Sequence, residues 1–216
     1  MAVLPYTVSV IFRKWLPVIG VIVCLAIGTG IFFITFHRDV EPESAPELTA
    51  ADVLPYLKDG DIILRLGDGP LSPMFRNVSP TDRRFSHLGI VRIRDETITV
   101  IHSLGVITNR NRGVEETSLE RFLRNARSAG IFRTLSADGT AISDKALTFI
   151  GIPFDWSFNL SDDSRIYCTE LLYVVLKYVA PDITLKTVFL DTIGKEIIPL
   201  DSISNSSAFY EVAYFY

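Results

Sequence analysis

Along this chain the apolar residues fall into three patterns, and each predicts a different kind of element. The longest is an unbroken run from Leu16 to Phe36, "LPVIGVIVCLAIGTGIFFITF", with no charged residue. It matches the roughly 20 residues needed to cross a bilayer as a helix. Arg13 and Lys14 precede it and Arg38 follows, while Trp15 and Phe36 suit the two interfaces. Two basic residues plus the amino terminus, against one arginine, bias the N-terminus to the inside. A cleaved signal peptide is the rival reading, but its apolar core spans about 7–15 residues and ends in small side chains. This run is longer and ends in "IFFITF". A lipidated Cys24 is disfavoured by the preceding "VIV" and by the apolar residues after it. The Pro-rich, acidic "RDVEPESAPE" then reads as an extended stalk. The expected organisation is a short cytoplasmic segment 1–15, a transmembrane helix 16–36, a linker 37–48 and one soluble domain 49–216.

Within the soluble part the period changes repeatedly. Thr49 to Leu57 predicts a short helix capped by Thr49, with Val53, Leu54 and Leu57 as its apolar stripe, and Gly60 stops it. "DIILRL" reads as a buried strand. "GDGPLSPMFRNVSPTDRR", rich in Gly, Pro and Asp, predicts a long loop from Gly67 to Arg84 that gates whatever lies beneath it. "SHLGIVRI" and "TITVIHSL" alternate at period two around a polar turn at Arg94 to Glu96, which predicts an antiparallel hairpin. "SLERFLRNA" is a capped helix, "GIFRTL" a strand, and "SDKALTFIGI" a helix capped by Ser143. "PFDWSFNLSDDSRI" is an aromatic loop, followed by the strongly apolar helix "YCTELLYVVLKYVA", which Pro181 ends. Short strands near Ile197 to Leu200 and Tyr210 to Tyr216 complete an α+β fold, a small antiparallel sheet packed on helices.

Composition narrows this picture only a little. The 216 residues are 48% hydrophobic and 21% charged with net charge −4, which is globular and lacks the basic surface that nucleic acid requires. The short clusters Arg83-Arg84 and Arg110 to Arg112 read as solvated loop charges. No repeat, low-complexity tract or cofactor motif is present.

Candidate chemistry changes the picture more. Of the two cysteines, Cys168 alone lies in the soluble part, at the head of a helix. An unpaired cysteine in an exported domain is reactive, pairs between molecules, or is simply buried. Of the three histidines, His37 flanks the membrane run, while His87 and His102 lie on the two hairpin strands. Residues two apart on a strand share a face, so both imidazoles project from one side of the sheet within about 8 Å. Such a pair serves as metal ligands, as core residues, or as catalytic groups. The metal reading needs further ligands at a recognisable spacing, and none is present. A thiol nucleophile explains the residue types better. A helix N-terminus and an imidazole favour the thiolate, His87 takes the thiol proton, and His102 orients that ring. Backbone N–H groups near Cys168 then hold the oxyanion. Glu170 lies two residues on, pointing about 200° away from Cys168 on the helix, so it suits a bond to loop backbone rather than the triad.

"GDIILR", "FSHLGIV", "VIHS", "GIPFDWSF" and "YCTELLY", in that order, resemble the permuted papain-like amidases of the NlpC superfamily, of the YiiX/YebB type. The resemblance spans about Leu57 to Tyr178. It implies a circularly permuted papain-like (NlpC-type) fold, with Cys168 as nucleophile, His87 as base and His102 at the variable third position. It also implies a pocket shaped by Tyr167 and Asp155, and Phe154 and Trp156 are taken with them as substrate-binding residues. Asp61, in the Gly-Asp opening of the first strand, suits a structural turn role. The implied activity is amide cleavage through a thioester, without cofactor or metal. The expected partner is a cell-wall peptide or acyl-amide in the envelope, with the domain outside a bacterial inner membrane. The same order of residues characterises the lecithin retinol acyltransferase-like branch, so a lipid acyl hydrolase or acyltransferase remains an alternative, as does a non-catalytic binding module.

Overall fold

The central strands of the main sheet bury consecutive side chains, because both faces of the sheet are covered. The computed structural model describes residues 48–69, 71–106 and 112–216, which belong to a unit spanning Glu47–Tyr216. The predicted span Leu16–Phe36, with Cys24 and His37, lies outside them. Among the described residues no helix is long and apolar enough to cross a membrane.

Strand β1 (Ile62–Leu66) pairs with β2 (His87–Arg94) and with β5 (Ser128–Thr134). β3 (Thr97–Ser103) pairs with β2 and with β4 (Val114–Ser118), and β8 (Phe209–Phe215) pairs with β5. The order β4-β3-β2-β1-β5-β8 is antiparallel throughout. A small ribbon joins β6 (Val188–Leu190) to β7 (Lys195–Ile197). Helices α1 (Ala50–Val53), α2 (Ser72–Val78), α3 (Leu119–Leu123), α4 (Gly139–Leu147), α5 (Cys168–Val179) and α6 (Asp201–Ser204), with a 3-10 turn at Leu54–Tyr56, complete the described elements.

Alternation sorts the core into two layers. Ile62, Leu64, Leu88, Ile90 and Ile101 meet Leu171, Leu172 and Val175 of α5 on one face. Ile63, Val91, Val100 and Ile131 meet Val53 of α1 and Phe122 of α3 on the other. At about 1.5–3 kcal/mol per fully buried aliphatic or Phe side chain, this two-sided burial is what fixes strand register.

The hairpin turn needs left-handed backbone at both central residues, and Asp95 (φ 47°) and Glu96 (φ 66°) supply it. Gly60 (φ 78°) ends the first helical segment, and a Cβ there would lie 2.1 Å from the Gly139 carbonyl oxygen. Asp52 closes a capping box on Thr49, accepting from its N–H at 2.8 Å and its hydroxyl at 2.7 Å.

Several expectations need correction. The stretch from Gly67 to Arg84 is not wholly loop: α2 forms inside it because Pro73 suits a first helical turn and Phe75 buries against Phe154 and Phe158. Leu54 faces solvent. The cap of α4 is Asp138, whose carboxylate accepts from the Thr140 N–H at 3.1 Å, while Ser143 is buried inside the helix and donates to the Thr140 carbonyl. Strand β4 was not expected, and Arg112 is no free loop charge, since it pairs with Glu115 on that strand. Residues 198–200 follow β7 rather than forming a strand of their own. Asp61 holds its turn, accepting from the Lys58 N–H at 2.7 Å and binding Arg133 through both carboxylate oxygens.

Candidate active site

Cys168 is the first residue of α5, and Tyr167 before it is extended, so the helix begins at the thiol. The start is built from within. Glu170 accepts from the Tyr167 N–H at 3.1 Å, and the Tyr167 hydroxyl accepts from the Ile198 N–H at 2.9 Å. Thr169 donates to the Ile198 carbonyl at 2.7 Å. These bonds pin the first turn against the segment after β7. Glu170 thus bonds backbone, as its helical phase predicts, and its second oxygen is buried without a partner. Burial pushes its carboxyl up to about 8.

His87 is the first residue of β2, opposite Arg65 of β1. Its Nε2 lies 2.9 Å from His102 Nδ1, with the rings nearly perpendicular. The β2–β3 register pairs Ile90 with Ile101, so its continuation sets His102 opposite Gly89, diagonal to His87. Phe122 stacks on the His87 ring with centroids 5.7 Å apart. His102 is 4% exposed, and its cross-strand partner on β4 is Glu115. His102 Nε2 is buried without a hydrogen bond, 3.8 Å from Glu115 Oε1. Glu115 in turn pairs with Arg112. Sequence reasoning missed Glu115 because the polar segment "VEETS" carries little strand signal.

Cys168 and His87 line one cavity of about 320 Å³. Leu71, Phe75, Leu104, Val106 and Phe154 make its wall largely apolar, and Gly67, Gly69, Leu71, Ser72 and Phe75 supply one side. Ser86 anchors that side, accepting from the Gly67 N–H at 3.0 Å and meeting the Ser72 hydroxyl at 2.6 Å. Among the described residues no hydrogen bond joins the thiol to the imidazole. The ladder between β2 and β3 ends at Ile90, and the N–H groups of Thr169, Leu88 and Cys168 itself face the sulfur.

The electrostatics differ from those expected of a resting thiolate. Burial pushes the Cys168 thiol up to about 12, outweighing those N–H groups. Burial, reinforced by His102 and Arg65, holds His87 well below its ordinary value. Burial, with Arg65, Arg112 and Arg121, pulls His102 down to about 3. Burial thus favours the neutral form of both the thiol and the imidazole.

The other expected site residues divide. Phe154 lines the cavity. Trp156 packs behind it, with centroids 4.9 Å apart. Tyr167 is fully buried. The Asp155 carboxylate folds its own loop, accepting from the N–H groups of Ser157 at 2.8 Å and Asn159 at 2.6 Å. Trp156, Tyr167 and Asp155 support the cavity rather than facing it. Among the described residues no group of three or more His, Cys, Asp or Glu side chains is placed to hold a metal ion.

Known proteins resemble this chain in family and in fold. Residues 56–202 match the family described as permuted papain-like amidase enzyme, YaeF/YiiX, C92 family, a stretch that contains His87, His102 and Cys168. Among solved structures, the fold is similar to that of the metalloprotein YiiX from Escherichia coli O157:H7, with a TM-score of 0.59 at 17% identity, covering 73% of this chain and 97% of that one. No curated protein matches the chain.

Proposed function

Since this chain belongs to the permuted papain-like amidases of the YaeF/YiiX type, the C92 family, and is therefore a cysteine hydrolase, we propose that Cys168 is its nucleophile, His87 its general base and His102 the residue that orients His87. The observation that carries this reading is the single cavity shared by a helix-heading thiol and a strand-heading imidazole whose far nitrogen is already bound to His102. With Nε2 committed to His102, Nδ1 is the nitrogen left for the thiol.

The neutral pair determines the order of events. Proton transfer accompanies attack: Sγ bonds the carbonyl carbon while His87 Nδ1 takes the thiol proton. The oxyanion is met by the Cys168 N–H, which has no intrahelical partner at the first turn. The C–N bond breaks as His87 returns the proton to the leaving amine, which leaves a thioester. His87 then draws a proton from water, the hydroxyl adds to the thioester, and the acid departs as the thiol is reprotonated.

The span Leu16–Phe36 tethers the domain to the membrane on its outer side, and a peptide of the cell envelope is the substrate class. One observation favours a second reading, an acyl lipid, because Leu71, Phe75, Leu104, Val106 and Phe154 give the cavity a largely apolar surface. Incubation with defined cell-wall peptides and with N- and O-acyl lipids, followed by intact mass of the protein, tests both. A Cys168-linked acyl adduct from one class, absent in Cys168→Ala, identifies the class. No adduct and no turnover with either removes this reading.

A further inference from the structure

Arg65 faces the cavity of Cys168 and His87 without a carboxylate partner. It lies on β1 opposite His87, and its guanidinium carbon sits 5.3 Å from the centroid of the Phe122 ring that also stacks on His87. Nη1 donates to the Arg124 carbonyl at 3.3 Å. Nε is buried with no partner, and among the described residues no acceptor bonds Nη2 and no carboxylate forms an ion pair with Arg65. Asp68, whose charge it feels, is exposed.

A half-buried cation with most of its donors idle is costly unless a ligand supplies the anion. By contrast, Arg84, Arg94, Arg112 and Arg133 each hold a carboxylate of the protein. Arg65 is among the residues that line the cavity where a substrate must lie to reach Cys168.

We propose that Arg65 is an anion-binding residue of this cavity, and that the substrate carries a carboxylate beside the bond that Cys168 attacks, with its apolar part against Leu71, Phe75 and Phe154. A carboxylate fits better than a phosphate because Arg65 is the one cationic side chain among the described cavity-lining residues, and a planar fork matches a monoanionic carboxylate. The inference rests on Cys168 being the nucleophile.

Two alkylating reagents of nearly equal size, iodoacetamide and iodoacetate, differ by the carboxylate in question. The full-length protein, kept in mild detergent, is treated with each, and the rate of Cys168 modification is followed by mass. The iodoacetate-to-iodoacetamide rate ratio is compared with that of glutathione. The expected ratio exceeds that of glutathione by about tenfold, the size of one charge-assisted hydrogen bond. Arg65→Lys, which keeps the charge but not the fork, retains part of the excess, and Arg65→Gln loses it. Equal ratios for Cys168 and glutathione, with iodoacetamide labelling still dependent on His87, overturn the role of Arg65 and leave the nucleophile standing. An excess that survives Arg65→Gln also overturns it. Failure of both reagents to modify Cys168 in the folded protein overturns the nucleophile and this inference together.

Discussion

His87 Nε2 and His102 Nδ1 stand 2.9 Å apart, so the tautomer of one ring dictates that of the other. If His87 is to accept at Nδ1, its Nε2–H donates to His102 Nδ1, and His102 then carries its own proton on Nε2, facing Glu115. Glu115 stands 3.8 Å from that nitrogen, beyond hydrogen-bond distance, and is paired with Arg112, so its influence on His102 is weak. His102→Ala is expected to lower kcat by about 10²-fold, the low end of a positioned base's contribution, with KM little changed. Glu115→Gln, which keeps shape and removes charge, gives a smaller loss. Steady-state kinetics on an amide substrate, with thermal unfolding as the folding control, measure both.

Cys168 alkylation reports the resting protonation state directly. With the thiol pushed up to about 12 and His87 held down, the iodoacetamide rate keeps climbing through pH 9–10, beyond the ordinary thiol value of about 8.5. A plateau reached below pH 7 would reveal a resting thiolate–imidazolium pair instead. Cys168→Ala removes the labelling at position 168, leaving only Cys24 as a thiol, abolishes hydrolysis and changes stability by no more than about 1 kcal/mol.

Glu170 leaves a signature in stability against pH. Its carboxyl is raised to about 8 in the folded protein, while the unfolded chain titrates near 4.3. Between these values the folded state holds a proton that the unfolded state has lost, so this group's contribution falls as pH rises from about 4.3 to 8. Glu170→Gln keeps the acceptor for the Tyr167 N–H and removes the titration. Urea unfolding at pH 5 and pH 8.5 is expected to show the variant losing less stability than the parent across that interval.

The two imidazoles act in the opposite sense. Burial keeps His102 neutral down to about 3, whereas an unfolded histidine takes a proton below about 6.5. Stability from His102 is complete above pH 6.5 and lost toward pH 3, by up to about 1.4 kcal/mol per pH unit. His102→Gln should flatten the acid limb of a melting-temperature profile over that window.

Gly89 is where fold and site share one atom's worth of space. An added Cβ would fall 2.3 Å from Val100 Cγ1 and 2.9 Å from Phe122 Cε2. Gly89→Ala is expected to cost about 1–3 kcal/mol by overpacking and to displace Phe122, the ring stacked on His87. Equilibrium unfolding measures the first effect and Cys168 alkylation the second.

Period-two alternation in "SHLGIVRI" and "TITVIHSL" was enough to place His87 and His102 on one face, because strand geometry is local. Helical periodicity and Pro181 likewise bounded the helix headed by Cys168, and the ordered motifs identified the family. Three things needed the tertiary structure. Strand β4 lies at the sheet edge with one polar side, so "VEETS" carries little pattern, and Glu115 is beside His102 only through pairing between distant segments. Helix α2 is short and opens on Pro73, and it exists because Phe75 finds Phe154 and Phe158. The burial of the thiol also needed the tertiary structure: helix N-terminus and imidazole are visible in the sequence, while desolvation, which opposes both, is a property of the packed chain.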